Sequence, residues 1–137
     1  MKATTDTEWE LMEGDGFTHL VGPFYEWKGG GDNGRFRFFA EDKHRNRNGF
    51  VQGGMLVTFA DRAMGAFARR HDSKRVHVTA QLDVQFIHSA KLGAAVDIET
   101  RIIREGRNLV FVQGTITSEA RIVAMVSGIW SILARGD

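Results

Sequence analysis

The sequence predicts an α+β fold, with one long central helix wrapped by a curved antiparallel β-sheet. Three observations lead there. A single stretch, about residues 53–70, repeats its apolar residues at helical spacing. The regular stretches after it alternate apolar and polar residues with the period of two that marks strands. One helix buries its apolar stripe against so much sheet only where the sheet twists and curls around it.

Taken in order, residues 1–16 read as an acidic lead-in with a short helix around Thr7 to Met12. Phe17 to Lys28, rich in aromatic and β-branched residues, reads as a strand broken near Gly22-Pro23. Gly29-Gly30-Gly31-Asp32-Asn33-Gly34 is a turn whose glycines and Asn-Gly pair suit positive φ. Arg35 to Ala40 is the returning strand, and Glu41 to Phe50 an irregular polar loop. In the helix, Met55, Phe59, Ala63 and Phe67 recur every four residues, and Leu56, Ala60 and Met64 widen the stripe. At 1.5 Å per residue it would run about 27 Å before His71-Asp72-Ser73 ends it. Val76 to Phe86, Ala94 to Arg104, Leu109 to Ser118 and Arg121 to Leu133 are the long strands, the last three hairpin-connected as a meander. Residues 17–135 are thus expected to form a single domain behind the lead-in.

Bulk properties narrow the function. The 137 residues suit one domain with a core of its own. A net charge of +1 supplies no field for nucleic acid or an anionic membrane, so neither partner is expected. The absence of cysteine excludes disulfides, thiolate metal sites and a cysteine nucleophile. No stretch approaches the roughly 20 apolar residues of a membrane span, and the start lacks the pattern of a signal peptide, so a cytoplasmic location is expected. Five histidines without ligand spacing point to no metal site. Neither a Gly-x-Ser-x-Gly elbow nor a phosphate-binding loop is present.

Chemistry concentrates between His44 and Asp61. Gly53-Gly54 stands where the loop enters the helix, and the first N–H groups of a helix have no internal acceptors. With the macrodipole and the open backbone of glycine they form an anion site suited to a developing oxyanion. A tight turn into the helix is the alternative. On a helical wheel Asp61 neighbours Val57, Thr58, Met64 and Gly65, so it sits on the buried side or its margin. A carboxylate there is costly without a partner or a function. An exposed acid on the helix edge is the other reading.

The series Asn46, Gly49, Gln52, Gly53, Gly54 and then Asp61 resembles the acyl-CoA thioesterases of the phenylacetic acid degradation (PaaI) type, members of the hot-dog superfamily. Their pattern is Asn-x-x-Gly-x-x-His-Gly-Gly followed by an aspartate. Ser89-Ala90-Lys91-Leu92-Gly93 is similar to a second family phrase, and the likeness spans about Glu41 to Leu133. The resemblance implies a hot-dog fold and hydrolysis of an acyl- or aryl-acyl-CoA to free acid and CoA, with no cofactor. It implies a homodimer or homotetramer with sites between subunits. Asp61 would be nucleophile or general base, the Gly53 N–H would polarise the carbonyl, and Asn46 would orient water or thioester. A hydroxyl on the first strand after the helix, Thr79 by the family pattern, would assist Asp61. Gln52, Gly54 and Arg47 adjoin this site as substrate-binding candidates.

Two features depart from that pattern or leave it open. Gln52 replaces the family histidine and can hydrogen-bond but not titrate, which keeps alive a non-hydrolytic acyl-CoA-binding protein. Thr79 lies on the polar side of its strand, opposite Val78 and Ala80, and alternation does not say whether that side meets Asp61. His44 reads as a solvated loop residue. Phe50, Met55, Phe59, Met64 and Trp130 fit pocket walls and core equally well.

Overall fold

A computed structural model describes residues 8–31 and 34–133. The elements are β1 (Trp9–Leu11), α1 (Phe17–Val21), β2 (Tyr25–Trp27), β3 (Arg35–Phe39), α2 (Gly53–Ala68), β4 (His77–Phe86), β5 (Ala95–Glu105), β6 (Leu109–Ser118) and β7 (Arg121–Ile132). The strands form one seven-stranded sheet in the order β1-β2-β3-β5-β6-β7-β4. Each neighbouring pair is antiparallel. The α+β architecture expected from the sequence is therefore the one observed, with α2 against one face of the sheet.

Alternation sets that face. β6 buries every second residue, including Val110, Val112 and Ile116. β3 buries Phe36 and Phe38, and β5 buries Val96 and Ile98. The helix presents Met55, Leu56, Phe59, Ala60, Ala63, Met64 and Ala68 to them. Each large side chain removed from water contributes about 1.5–3 kcal/mol. Trp130, the bulkiest fully buried residue, fits because glycines vacate its space. A Cβ at Gly128 would stand 2.5 Å from the Trp130 ring, and one at Gly65 would stand 3.0 Å from its Nε1. Met55, Phe59, Met64 and Trp130 are thus core, while Phe50 is exposed.

The amino-terminal segment differs from expectation. Trp9–Leu11 is a strand paired with β2, where a helix was expected around Thr7 to Met12; Thr7 lies outside the described residues. Isolated short helices are marginal, and here the backbone finds a sheet edge and Trp9 finds Trp27, the rings meeting edge-on at 5.2 Å. Phe17–Val21, expected as strand, is helical. Gly16, at φ 57°, turns the chain, and Thr18 Oγ1 donates to the Asp15 carbonyl at 3.0 Å, which starts the turn locally. The expected break at Gly22-Pro23 separates α1 from β2. Asp32 and Asn33 of the expected glycine turn lie outside the described residues. Among the described residues no helix is long and apolar enough to cross a membrane.

Candidate active site

The loop into α2 is built on His44. This residue is buried, not solvated as its loop position suggested. Its Nδ1 accepts the Glu41 N–H at 2.9 Å, so Nε2 carries the proton and donates to the Val21 carbonyl at 2.6 Å. Its ring meets Phe38 edge-on at 5.2 Å, and its carbonyl accepts the Gln52 N–H at 2.8 Å. Asn46 Oδ1 accepts the N–H groups of Asn48 at 2.9 Å and Phe50 at 3.0 Å, closing the turn that contains Gly49 at φ 87°. Arg47 is exposed on that turn.

Gln52 is the N-cap of α2, and its side chain makes no capping hydrogen bond. Its carbonyl takes the N–H of Met55 at 2.9 Å and of Leu56 at 3.2 Å. Among the described residues the Gly53 and Gly54 N–H groups find no acceptor. Neither glycine has positive φ. A Cβ at Gly53 would rest 3.4 Å from the Phe86 ring, and one at Gly54 would meet only Gln52 Cγ at 3.9 Å. Neither backbone strain nor a clash within the chain therefore requires glycine here.

Two turns further along α2, Thr79 Oγ1 donates to Asp61 Oδ1 at 2.5 Å. A bulge makes this contact. The β4–β7 register shifts between Thr79 and Gln81, so an extra residue enters β4. Thr79 and Leu82, three residues apart, then line the same cavity, which strict alternation forbids. That cavity of about 340 Å³ has Asp61 and Thr79 beside Val57, Leu82, Arg62 and Phe17. Asp61 is half-buried, at the margin the helical wheel indicated. Arg62 donates to the Glu13 carbonyl at 3.0 Å. Burial, with Arg69 close by, holds its pKa below the usual guanidinium value against a smaller opposing pull from Glu26. It stays charged at neutral pH.

The structure thus brings Thr79 to Asp61 and keeps Asn46, Arg47, Gln52, Gly53 and Gly54 together at the helix mouth. Within one chain it does not bring these two groups together: eight residues of α2 separate Gly53 from Asp61, a rise of about 12 Å. Sequence reasoning missed Phe17 and Arg62. Arg62 starts about 100° round the helix from Asp61, a spacing that hides how its long side chain reaches the same cavity, and Phe17 sat in a segment read as strand. Of the basic residues after α2, Arg70 pairs with Glu105 at 3.3 Å and Arg75 with Asp72 at 3.6 Å. A larger groove of about 520 Å³ among Trp27, Arg35, Glu99 and Arg101 holds none of the candidate residues. Among the described residues no cluster of three or more His, Cys, Asp or Glu is arranged around a possible metal ion.

Comparison with known proteins places this geometry in a family context. The thioesterase superfamily model matches residues 48–124, a span that contains Gly53, Asp61 and Thr79. A Pseudomonas aeruginosa protein named "Putative esterase PA0474" is 31% identical over 93 residues, 67% of this chain and 69% of its own. The solved structure of a mutant of the phenylacetic acid degradation protein PaaI from Thermus thermophilus aligns with a TM-score of 0.73 at 19% identity, over 87% of this chain and 100% of that one. The smu.793 protein of Streptococcus mutans UA159, bound to acetyl CoA, aligns with a TM-score of 0.69 at 20% identity, over 92% and 89%. At such identities the two structures speak for the fold, which is the hot-dog arrangement.

Proposed function

This chain belongs to the thioesterase superfamily and is a thioester hydrolase, and we propose that it cleaves acyl-CoA to free acid and CoA in a site shared by two copies of the chain. The observation that carries this reading is the Asp61–Thr79 hydrogen bond at the edge of a cavity large enough for an acyl group. Thr79 donates to one carboxylate oxygen and orients the other. Asp61 then either attacks the thioester carbon or takes a proton from the water that does. Either way the C–O bond forms first, giving a tetrahedral oxyanion whose collapse breaks the C–S bond. Where water attacks, Asp61 passes the proton it took to the departing CoA thiolate. Where Asp61 attacks, CoA leaves as the thiolate and water then hydrolyses the acyl–Asp61 anhydride to the free acid.

The oxyanion that develops needs donors about 3 Å away. A Gly53 amide some 12 Å along the same helix does not reach a carbonyl held at Asp61. A second copy supplies it. Among the described residues no close contact demands glycine at positions 53 and 54. Room for a thioester oxygen against the two unpaired N–H groups accounts for both. Asn46, its side-chain oxygen engaged by the loop, keeps its amide nitrogen for water or thioester. Gln52, Gly54 and Arg47 flank the approach, Arg47 with a guanidinium suited to CoA phosphates. The S. mutans protein of the same fold is bound to acetyl CoA, which fits this substrate class.

The second copy docks along β4, ten residues long and the outermost strand of its side of the sheet. A homodimer forms that way, and the exposed Ile103 and Met125 give two dimers a surface for a homotetramer. A chain without cysteine acting on CoA esters fits the reducing cytoplasm. Asp61→Asn should lower thiol release from acyl-CoA roughly 10²–10⁴-fold, as loss of a general base does, with an unchanged melting curve. Wild-type rates from Asp61→Asn across a panel of acyl-CoAs would overturn the assignment.

A further inference from the structure

We propose that Phe17, carried on α1, selects the acyl group and favours bulky apolar acyl chains over acetyl. This role rests on acyl-CoA being the substrate, and it falls to a residue outside the family-matched span 48–124.

Helix α1 has five residues and fully buries none of them. Such a helix does not hold itself in water, so its position is set from outside. Polar ties do this. The buried His44 donates to the Val21 carbonyl at 2.6 Å at one end, and Arg62 donates to the Glu13 carbonyl at 3.0 Å just before the other. These ties hold an aromatic ring that is 61% exposed against the cavity beside Asp61.

The cavity is more apolar than its residue types suggest. It includes Thr18 and Thr58, but the Thr18 hydroxyl is engaged with the Asp15 backbone at 3.0 and 3.1 Å. The Thr58 hydroxyl donates to the Gly54 carbonyl at 2.9 Å. Neither proton is left for a ligand. Beyond Asp61, Thr79 and Arg62 the remaining wall is Phe17, Val57 and Leu82. The Phe17, Val57 and Leu82 wall offers pantetheine and phosphate no polar partner, and Arg62, the cation of the lining, is tied to the Glu13 carbonyl. An apolar acyl group against that wall instead loses its contact with water. A volume of about 340 Å³ lies at the small end of the roughly 300–1,000 Å³ usual for ligand pockets, enough for acyl group and thioester but not for all of CoA. A ring or branched chain would cover the Phe17 face. The single methyl of acetyl would leave it in water, so the ring should matter for the first and not for the second.

The test compares phenylacetyl-CoA with acetyl-CoA on wild type, Phe17→Ala and Phe17→Leu. Thiol release gives kcat/KM, and calorimetry on the Asp61→Asn background gives binding independent of turnover. Light scattering reports the oligomer. Phe17→Ala should lower kcat/KM and affinity for phenylacetyl-CoA roughly tenfold or more while acetyl-CoA changes by less than about twofold. Phe17→Leu should recover part of the loss, with the oligomer intact. An equal loss for both substrates, no change for either, or dissociation of the oligomer would overturn the role of Phe17 and leave the thioesterase reading standing. Wild-type protein that neither binds nor cleaves any acyl-CoA would remove the substrate reading, and this role with it.

Discussion

The two edges of the sheet are built on opposite plans. At one end β1 contributes only three residues, and bulky groups crowd it: Trp9 against Trp27, and Arg37 stacked over Trp9 at 4.3 Å. Short length and bulky or charged cover are how natural sheets blunt an edge. At the other end β4 runs ten residues with, among the described residues, no strand beyond it, and Val78 and Phe86 are 40% and 55% exposed. A long apolar edge is a template for pairing. The residues assigned to chemistry gather at that second edge. Thr79 belongs to β4, and Phe86 of the same strand packs beside Gly53. Pairing and catalysis are therefore expected to rise and fall together at β4, and to be indifferent to β1.

The most severe test of that contrast is to spoil the bare edge. Antiparallel pairing of β4 with its own copy sets the start of one strand, near Val78, beside the end of the other, near Gln85. Val78→Lys combined with Gln85→Lys sets like charges against each other in both halves of the interface, which opposes pairing. Light scattering should then show a monomer. Thiol release should fall with it by roughly 10²–10³, the usual loss when an oxyanion donor is removed. A monomeric double variant with wild-type turnover would show that one chain holds a complete site.

Gly53→Ala acts on the same edge but separates stability from activity. The new methyl meets Phe86 at 3.4 Å, an ordinary contact, and Gly53 has no positive φ that alanine would strain. The melting temperature should hold or rise. Turnover should drop, by roughly tenfold to a hundredfold, because the methyl occupies the approach to the amide. Equal turnover would make the glycine pair a plain turn into the helix. Thr79→Val is milder. It keeps the shape and removes one hydrogen bond to a carboxylate, an interaction of about 1.5–3 kcal/mol, so kcat should fall roughly tenfold or somewhat more with KM little changed.

How much of this was legible in the sequence depends on whether a residue's neighbours lie nearby in the chain. Met55, Phe59 and Ala63 announce α2 by spacing alone, and β4 to β7 appear within about a residue of their expected bounds because alternation is a local signal. The glycine pair and Asp61 were legible as candidates for the same reason. The side of β4 on which Thr79 stands was not, because a bulge reverses the alternation and leaves no mark in residue type. His44 looked like a solvated loop histidine because its partners, Glu41 and Val21, come from a turn and from a helix that the sequence presented as a strand. Phe17 was hidden by the same misreading of α1. β-propensity records fit to a pleated, half-buried surface, and Phe17–Val21 has no such surface to meet.

The smallest expected effect on turnover comes from the blunted edge and completes the contrast. Trp9 holds the β1–β2 pairing through its edge contact with Trp27 and carries Arg37 over its face. Aromatic pairs contribute about 0.5–1.5 kcal/mol beyond burial, and an exposed cation–π contact about 0.5–1 kcal/mol. Trp9→Ala should therefore cost about 1–2.5 kcal/mol by those two terms, read as a lower midpoint in urea. Arg37 keeps its bidentate pairing with Asp97 at 2.6 and 2.9 Å, so β3 and the sheet beyond it should stay in register. Outside the sheet, the route from β1 to the Asp61 cavity runs through the Glu13 carbonyl that Arg62 holds, a hydrogen bond in which Trp9 takes no part. Under conditions where the variant remains folded, kcat and oligomeric mass should match wild type. A loss of turnover from Trp9→Ala without unfolding would mean that the two edges are coupled, and that the amino-terminal strand helps to hold α1 and Phe17 against the cavity.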